Sequence, residues 1–355
     1  MCAANAGSLR ELTTVRRGRI SYLPAVCIGR LLDETPFLET LDTALQMDDG
    51  WSRPGWLDKP WPALRVRCLC MISEFGEAQA CVEDACLPHL TTLYVFCPED
   101  TPQIELRPLL QACRARGIER LGFVCYTSKP TLYANLREYL DGNATLKTLE
   151  LFSLKVMEPE DVRVFGEALL ACPSLTELFI SWPVYFPEWK LPKASLPPLA
   201  RMLAAHPRLQ RLSLEIPCSF LHTAVRVLAA PEAAPALRVL MLWCYGSAGT
   251  VRDAALSAAL AATLPQNMHL HVLHFRFYSE WGVAGAPWLQ ALDAVVRQNT
   301  SLRLLIVSSR RRKSQPWSQL PCAASRFVQE REAARLAAHE ADDDDADDAD
   351  WPSEK

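Results

Sequence analysis

The hexapeptide Leu146-Lys147-Thr148-Leu149-Glu150-Leu151, apolar at its first, fourth and sixth positions, recurs from the first third of the chain almost to its end. The same spacing holds at Leu90/Leu93/Val95, Ile118/Leu121/Phe123, Leu175/Leu178/Ile180, Leu209/Leu212/Leu214, Leu237/Leu240/Leu242, Leu270/Leu273/Phe275 and Leu302/Leu305/Val307. The copies start at 90, 118, 146, 175, 209, 237, 270 and 302, which puts them 28, 28, 29, 34, 28, 33 and 32 residues apart. Self-similarity at this period restricts a chain to stacked repeats. One unit this small cannot hide its own apolar face and must lay it on its neighbours.

Within each copy the last four residues alternate apolar and variable, the period of a strand with one buried face. Helices are expected between copies, within residues 107–116, 132–140, 161–171, 196–205, 223–230, 254–263 and 288–298. In the fourth of these, Leu199, Met202 and Leu203 fall three and four apart, so one stripe faces inward. Asn143, Pro173, Pro207, Pro235, Asn267 and Asn299 stand just before the next strand. They read as stops, since proline cannot continue a helix and asparagine tolerates a left-handed turn.

Strand plus helix in a unit of about 28 residues resembles the leucine-rich repeat, and the full helix resembles its ribonuclease-inhibitor-like subclass; the resemblance covers roughly residues 90–309. It implies an α/β solenoid, a horseshoe with a parallel concave sheet, convex helices and helical caps. The curvature has a simple cause: parallel strands pack about 4.8 Å apart and helices about 8–10 Å apart, so the stack bends with strands inside. The family places Asn or Cys three residues beyond the last strand leucine. Here Pro98, Tyr126, Leu154, Pro183, Pro217, Tyr245, Tyr278 and Arg310 stand there, so the turns must be closed in another way.

The expected organisation is an N-terminal helical cap over residues 1–62, an array over residues 63–309 with one degenerate repeat ahead of the eight clear ones, and a capping helix with an acidic tail over residues 310–355. The degenerate repeat places Leu64, Val66 and Leu69 on its strand. Two short helices are expected at Leu23–Leu32 and Phe37–Leu41, and the Leu23-Pro24 layout resembles an F-box, the helical module that docks on cullin ubiquitin ligases. Arg310 to Lys313 reads as a solvated basic edge, and the run Asp342 to Asp350 as unfolded, because its like charges repel.

A net charge of −4 lacks the basic excess of nucleic-acid binders. The thirteen cysteines are odd in number and scattered, which favours buried thiols in a reducing compartment. Cys68, Cys70, Cys81 and Cys86 lack the matched short spacings of a zinc site. No signal-peptide core and no bilayer-length apolar run is present in the sequence, so a cytoplasmic, monomeric protein without membrane contact is expected, with delivery into a host cell as the alternative.

No GxSxG, Walker-type loop, HExxH or GxGxxG occurs, and no cysteine has an aspartate two residues on. His269, His271 and His274 do not share a strand face. The expectation is therefore a non-enzyme without cofactor or metal. Positions three and five of each hexapeptide, and the residue after it, project to the sheet's open face. They include Tyr94, Phe96, Phe152, Phe179, Met241, Trp243, His274 and Arg276, and the longest gap adds an aromatic loop with Trp182, Tyr185, Phe186 and Trp189. Exposed aromatics among charges are the composition of interface hot spots, so these twelve residues are the expected contacts for a protein partner. The alternative is a substrate receptor of a cullin ubiquitin ligase, since Gly166-Glu167-Ala168-Leu169-Leu170-Ala171 resembles the GALA-type repeats of bacterial effectors, which pair an F-box with leucine-rich repeats.

Overall fold

The computed structural model describes residues 11–13, 15–16, 19–20, 22–24, 40–47, 64–72, 75–83, 87, 89–96, 106–124, 130–152, 159–181, 195–245, 253–278, 287–309, 318–319 and 325–334. The chain forms two compact units, Met1–Arg208 and Leu209–Lys355. Both are α/β and both alternate parallel strands with helices.

The first unit begins with β1 (Glu11–Thr13), β2 (Val15–Arg16), β3 (Arg19–Ile20), β4 (Tyr22–Pro24), β5 (Thr40–Met47) and β6 (Leu64–Ile72). It continues with α1 (Phe75–Glu83), β7 (Thr92–Phe96), α2 (Leu106–Arg116), β8 (Arg120–Val124), α3 (Pro130–Leu140), β9 (Thr148–Phe152), α4 (Pro159–Leu170), β10 (Glu177–Ile180) and α5 (Leu196–Ala204). Strands β5 to β10 lie side by side in chain order, all parallel. The second hexapeptide leucines stand in one row, Leu93, Leu121, Leu149 and Leu178, each at most 2 % exposed. Below them run Val95, Phe123, Leu151 and Ile180, and the first hexapeptide residues Leu90, Ile118, Leu146 and Leu175 are buried just ahead of the strands. Burying each such side chain is worth about 1.5–3 kcal/mol, and only the adjacent unit supplies the cover.

The expected helical cap differs from the structure. Tyr22–Pro24 and Thr40–Met47 are strands, and β1 and β4 both pair parallel to β5. Strand β5 pairs in turn with β6, so sheet hydrogen bonding crosses the boundary expected at residue 62. The physical reason is an edge: β6 would otherwise leave a row of backbone groups unpaired. Leu23-Pro24 sits within β4, and proline is tolerated there as at other strand ends.

The second unit contains β11 (Arg211–Pro217), a 3-10 turn at Cys218–Phe220, α6 (Leu221–Leu228), β12 (Val239–Tyr245), α7 (Asp253–Thr263), β13 (Val272–Phe277), α8 (Pro287–Val296), β14 (Leu304–Ser309), β15 (Ser318–Gln319) and a helix α9 over residues 325–334. Strands β11 to β14 are parallel neighbours with Leu212, Leu240, Leu273 and Leu305 in one row. Trp288 of α8, 1 % exposed, packs on Phe275 and Phe277 with ring centroids 5.8 and 5.9 Å away, which seats the helix on the leucine face.

Among the described residues, side chains close the turns that lead from helix into strand. Three residues before five of the eight hexapeptides stand Asn143, Cys172, His206, Asn267 and Asn299, all buried. Asn143 Oδ1 accepts the amides of Thr145 and Leu146, each at 3.0 Å. Asn267 Oδ1 accepts those of His269 and Leu270 at 2.9 and 2.8 Å, and Asn299 Oδ1 accepts that of Leu302 at 2.7 Å. Their Nδ2 groups reach back: Asn267 to the Ala229 carbonyl at 3.0 Å, Asn299 to those of Leu264 and Asn267 at 2.5 and 2.8 Å. Ser174 and Ser301 add bonds of the same kind, to Asn143 and Leu146 and to Asn267 and Leu270. His206 replaces the amide, with Nε2–H donating to the Leu169 carbonyl and Nδ1 accepting the Arg208 amide. Burial holds its pKa below the usual histidine range. These asparagines thus stop helices through their side chains. The left-handed backbone falls instead at Gly117, Gly142 and Ala234 among the described residues.

Candidate functional site: the open sheet face of each unit

In the first unit the open face carries two adjacent rows, Cys68, Thr92, Arg120, Thr148, Glu177 and Cys70, Tyr94, Gly122, Glu150, Phe179. Tyr94 does not stand out from it. Its ring lies down across Gly122, where a Cβ would come within 2.3 Å of Tyr94 Cδ1. Its hydroxyl donates to Glu150 Oε1 at 2.7 Å, and Arg120 Nη2 lies 3.5 Å from the same oxygen. Burial first, and then the Glu150 carboxylate, drive its pKa far above the usual tyrosine range. At 8 % exposure Tyr94 is a buried strut, not the exposed contact expected from alternation.

Beyond that strut, Phe152 and Phe179 are half-buried neighbours on β9 and β10, with ring centroids 4.9 Å apart and planes 43° apart. They sit on the face opposite the leucines, where alternation puts them. Phe96 is on β7, but its side chain lies outside the described residues, as do Trp182, Tyr185, Phe186 and Trp189.

In the second unit, the fifth hexapeptide positions and the residues after the hexapeptides form the rows Ser213, Met241, His274, Ile306 and Glu215, Trp243, Arg276, Ser308. The Arg276 guanidinium lies 4.3 Å from the centre of the Trp243 ring, and Tyr278 is 6.2 Å from that ring. At that distance the guanidinium charge rests on the π-face of the indole. Met241, Trp243 and Arg276 are half-buried. His274 is not exposed as expected: it is 6 % exposed, with Nε2 2.9 Å from Ser308 Oγ and accepting from Arg276 Nε at 3.2 Å. Burial and then the Arg276 charge lower its pKa to about 4, so the imidazole is neutral near pH 7. Glu215 is 3 % exposed and Ser213 5 % exposed in the same rows, which the alternation alone did not indicate.

Among the described residues, no group of three or more His, Cys, Asp or Glu side chains is arranged to hold a metal. Burial raises the Cys113 and Cys244 thiols well above the ordinary cysteine range, which makes them poor nucleophiles. No helix of the described residues is long and apolar enough to cross a membrane. Gly166, part of the effector-like string, has a packing role: a Cβ there would meet Met202 Sδ at 2.1 Å, so the glycine lets α4 and α5 approach. Compared with known proteins, the chain matches no family model and no curated protein.

Proposed function

We propose that this chain is a leucine-rich-repeat solenoid of the ribonuclease-inhibitor-like kind, a horseshoe with the open sheet face inside, and that it recognises a protein partner through that face without catalysis. The observation that carries this reading is the Phe152–Phe179 pair, two touching aromatic rings left half-open on the polar side of a rigid parallel sheet. Aromatic surface fixed on a regular scaffold binds with little loss of conformational freedom. The half-buried Arg276–Trp243–Tyr278 cluster supports the same role in the second unit, since arginine and aromatic side chains are the residue types that dominate binding interfaces. Buried thiols support a reducing, cytoplasmic setting. The ligase-receptor alternative is weaker, because its Leu23-Pro24 signature is extended in β4 where an F-box needs helix.

The test is selection of a random peptide library on the intact chain, followed by binding of the enriched peptides to Phe152→Arg with Phe179→Arg and, separately, to Trp243→Arg. Loss of at least tenfold in affinity in either variant, with unchanged circular dichroism, supports the reading. Peptides that bind both variants as tightly as the parent chain refute it.

A further inference from the structure

At the start of the strands in the second unit, the residue after each buried first leucine forms a second row. The Arg238 amide bonds the Gln210 carbonyl at 2.8 Å, the His271 amide bonds the Arg238 carbonyl at 2.8 Å, and the Arg303 amide bonds the His271 carbonyl at 2.7 Å. Arg238, His271 and Arg303 therefore stand on successive strands, about 4.8 Å from one to the next. Arg303 is exposed, and Arg238 and His271 are half-buried. Arg238 Nη1 donates to the carbonyls of Pro235 and His269 at 2.9 and 3.4 Å, which holds the guanidinium at this end of the sheet without neutralising it. The pKa of His271 is lowered by burial and then by Arg303 and Arg238, and Glu332 of α9 raises it. The charge of this strip near pH 7 is thus that of the two guanidinium groups, Arg238 and Arg303, on either side of His271, with α9 close enough to be felt there.

The course of the chain supplies an occupant. Arg331 of α9 donates to the carbonyls of Asn299 and Leu302, immediately ahead of Arg303, so the helix is fastened beside the strip. Only residues 335–341 separate the end of α9 from Asp342. Those seven residues reach up to about 23 Å, whereas Arg303 to Arg238 is two strand spacings, about 10 Å. The segment Asp342–Asp350 carries seven carboxylates and lies outside the described residues.

We propose that Asp342–Asp350 of this same chain docks on the Arg238–His271–Arg303 strip, as an intramolecular polyanion that shields the strand-start edge of the second unit. The pairing is electrostatic and largely at the surface, so salt weakens it. Tethering gives the segment a high effective concentration, against which an external acidic partner has to compete.

The experiment follows the His271 imidazole by NMR in the full chain and in a chain ended after residue 340. Neighbouring carboxylates favour the imidazolium, so the full chain titrates at the higher pH. Truncation moves the His271 midpoint down and shifts the Arg238, His271 and Arg303 amides. A synthetic peptide of residues 341–355 restores both at low salt and fails to do so in molar salt. Arg303→Gln, at an exposed side chain, is expected to weaken the peptide several-fold with the fold intact. The proposal is overturned if truncation leaves His271 and the three amides unmoved, or if the peptide binds the truncated chain and its Arg303→Gln variant equally well.

Discussion

His274 shows how one residue turns burial into pH dependence. An arginine nitrogen only donates, so the bond from Arg276 Nε assigns the lone pair to His274 Nε2 and the proton to Nδ1. Protonating Nε2 would set a donor against a guanidinium in a buried place. The folded pKa of about 4 lies below the unfolded value of about 6.5. Stability from this group is therefore complete above the unfolded value and is lost as pH falls toward the folded one. Between pH 7 and pH 5 the loss should amount to about 2 kcal/mol. Urea unfolding at the two pH values checks this: His274→Gln is expected to flatten that drop, and an equal drop in both proteins would contradict it. At this scale the sequence was only half legible. Alternation told which residues share the open face, and Phe152 and Phe179 followed it. It did not tell how far each side chain stands up. Tyr94 lies flat because Gly122, its register partner 28 positions later, has no side chain, and that neighbour is visible only once the strands are paired.

Among elements, the turn between helix and strand is the least ordinary part of each repeat. The departure from the family's asparagine position was plain in the sequence, and Asn143, Asn267 and Asn299 were visible as stops. Their mechanism was not, because the same residue caps by left-handed backbone or by side chain, and only the dihedrals distinguish the two. Asn299→Leu removes the acceptor for the Leu302 amide and two donors to the Leu264 and Asn267 carbonyls, all in a buried place. A cost of about 2–4 kcal/mol is expected from stranding these groups. Asn299→Asp, which keeps the acceptor alone, should fall between. Denaturant midpoints of the three proteins give the order, and a leucine variant as stable as the parent would remove the turn from the list of supports. The strands before β6 were missed for a related reason: in the frame of β5, Leu38 and Leu41 are followed by Thr43 where the third apolar residue would stand, so β5 has a sheet partner but not the full repeat signature.

For the whole molecule, the repeat was the strongest signal, and the strands from β7 to β14 and the helices from α2 to α8 fall where the period puts them, within two residues at most starts and ends. The long period carries over because each repeat's apolar row is covered by the next. That makes damage collective. Leu149 is fully buried between Leu121 and Leu178 in register. Leu149→Asp should therefore abolish slow amide exchange across β7 to β10, not in β9 alone; protection lost only around residue 149 would mean that the repeats fold as separate pieces.

The buried turn bonds also have a direction. Asn267 reaches Ala229, Asn299 reaches Leu264 and Asn267, Ser174 reaches Asn143, His206 reaches Leu169, and Arg331 reaches Asn299. In each of these the later repeat donates and the earlier one accepts; the exposed Gly142 amide, which donates to the Ala171 carbonyl, runs the other way. A chain emerging from the ribosome amino end first meets, at each step, carbonyls already set out by the repeat it has just completed. Growth in that order needs no waiting partner until the end. There α9 brings Arg331 to the last carbonyls, so synthesis halted at residue 309 would release a chain whose final turn has acceptors and no donor from a later repeat.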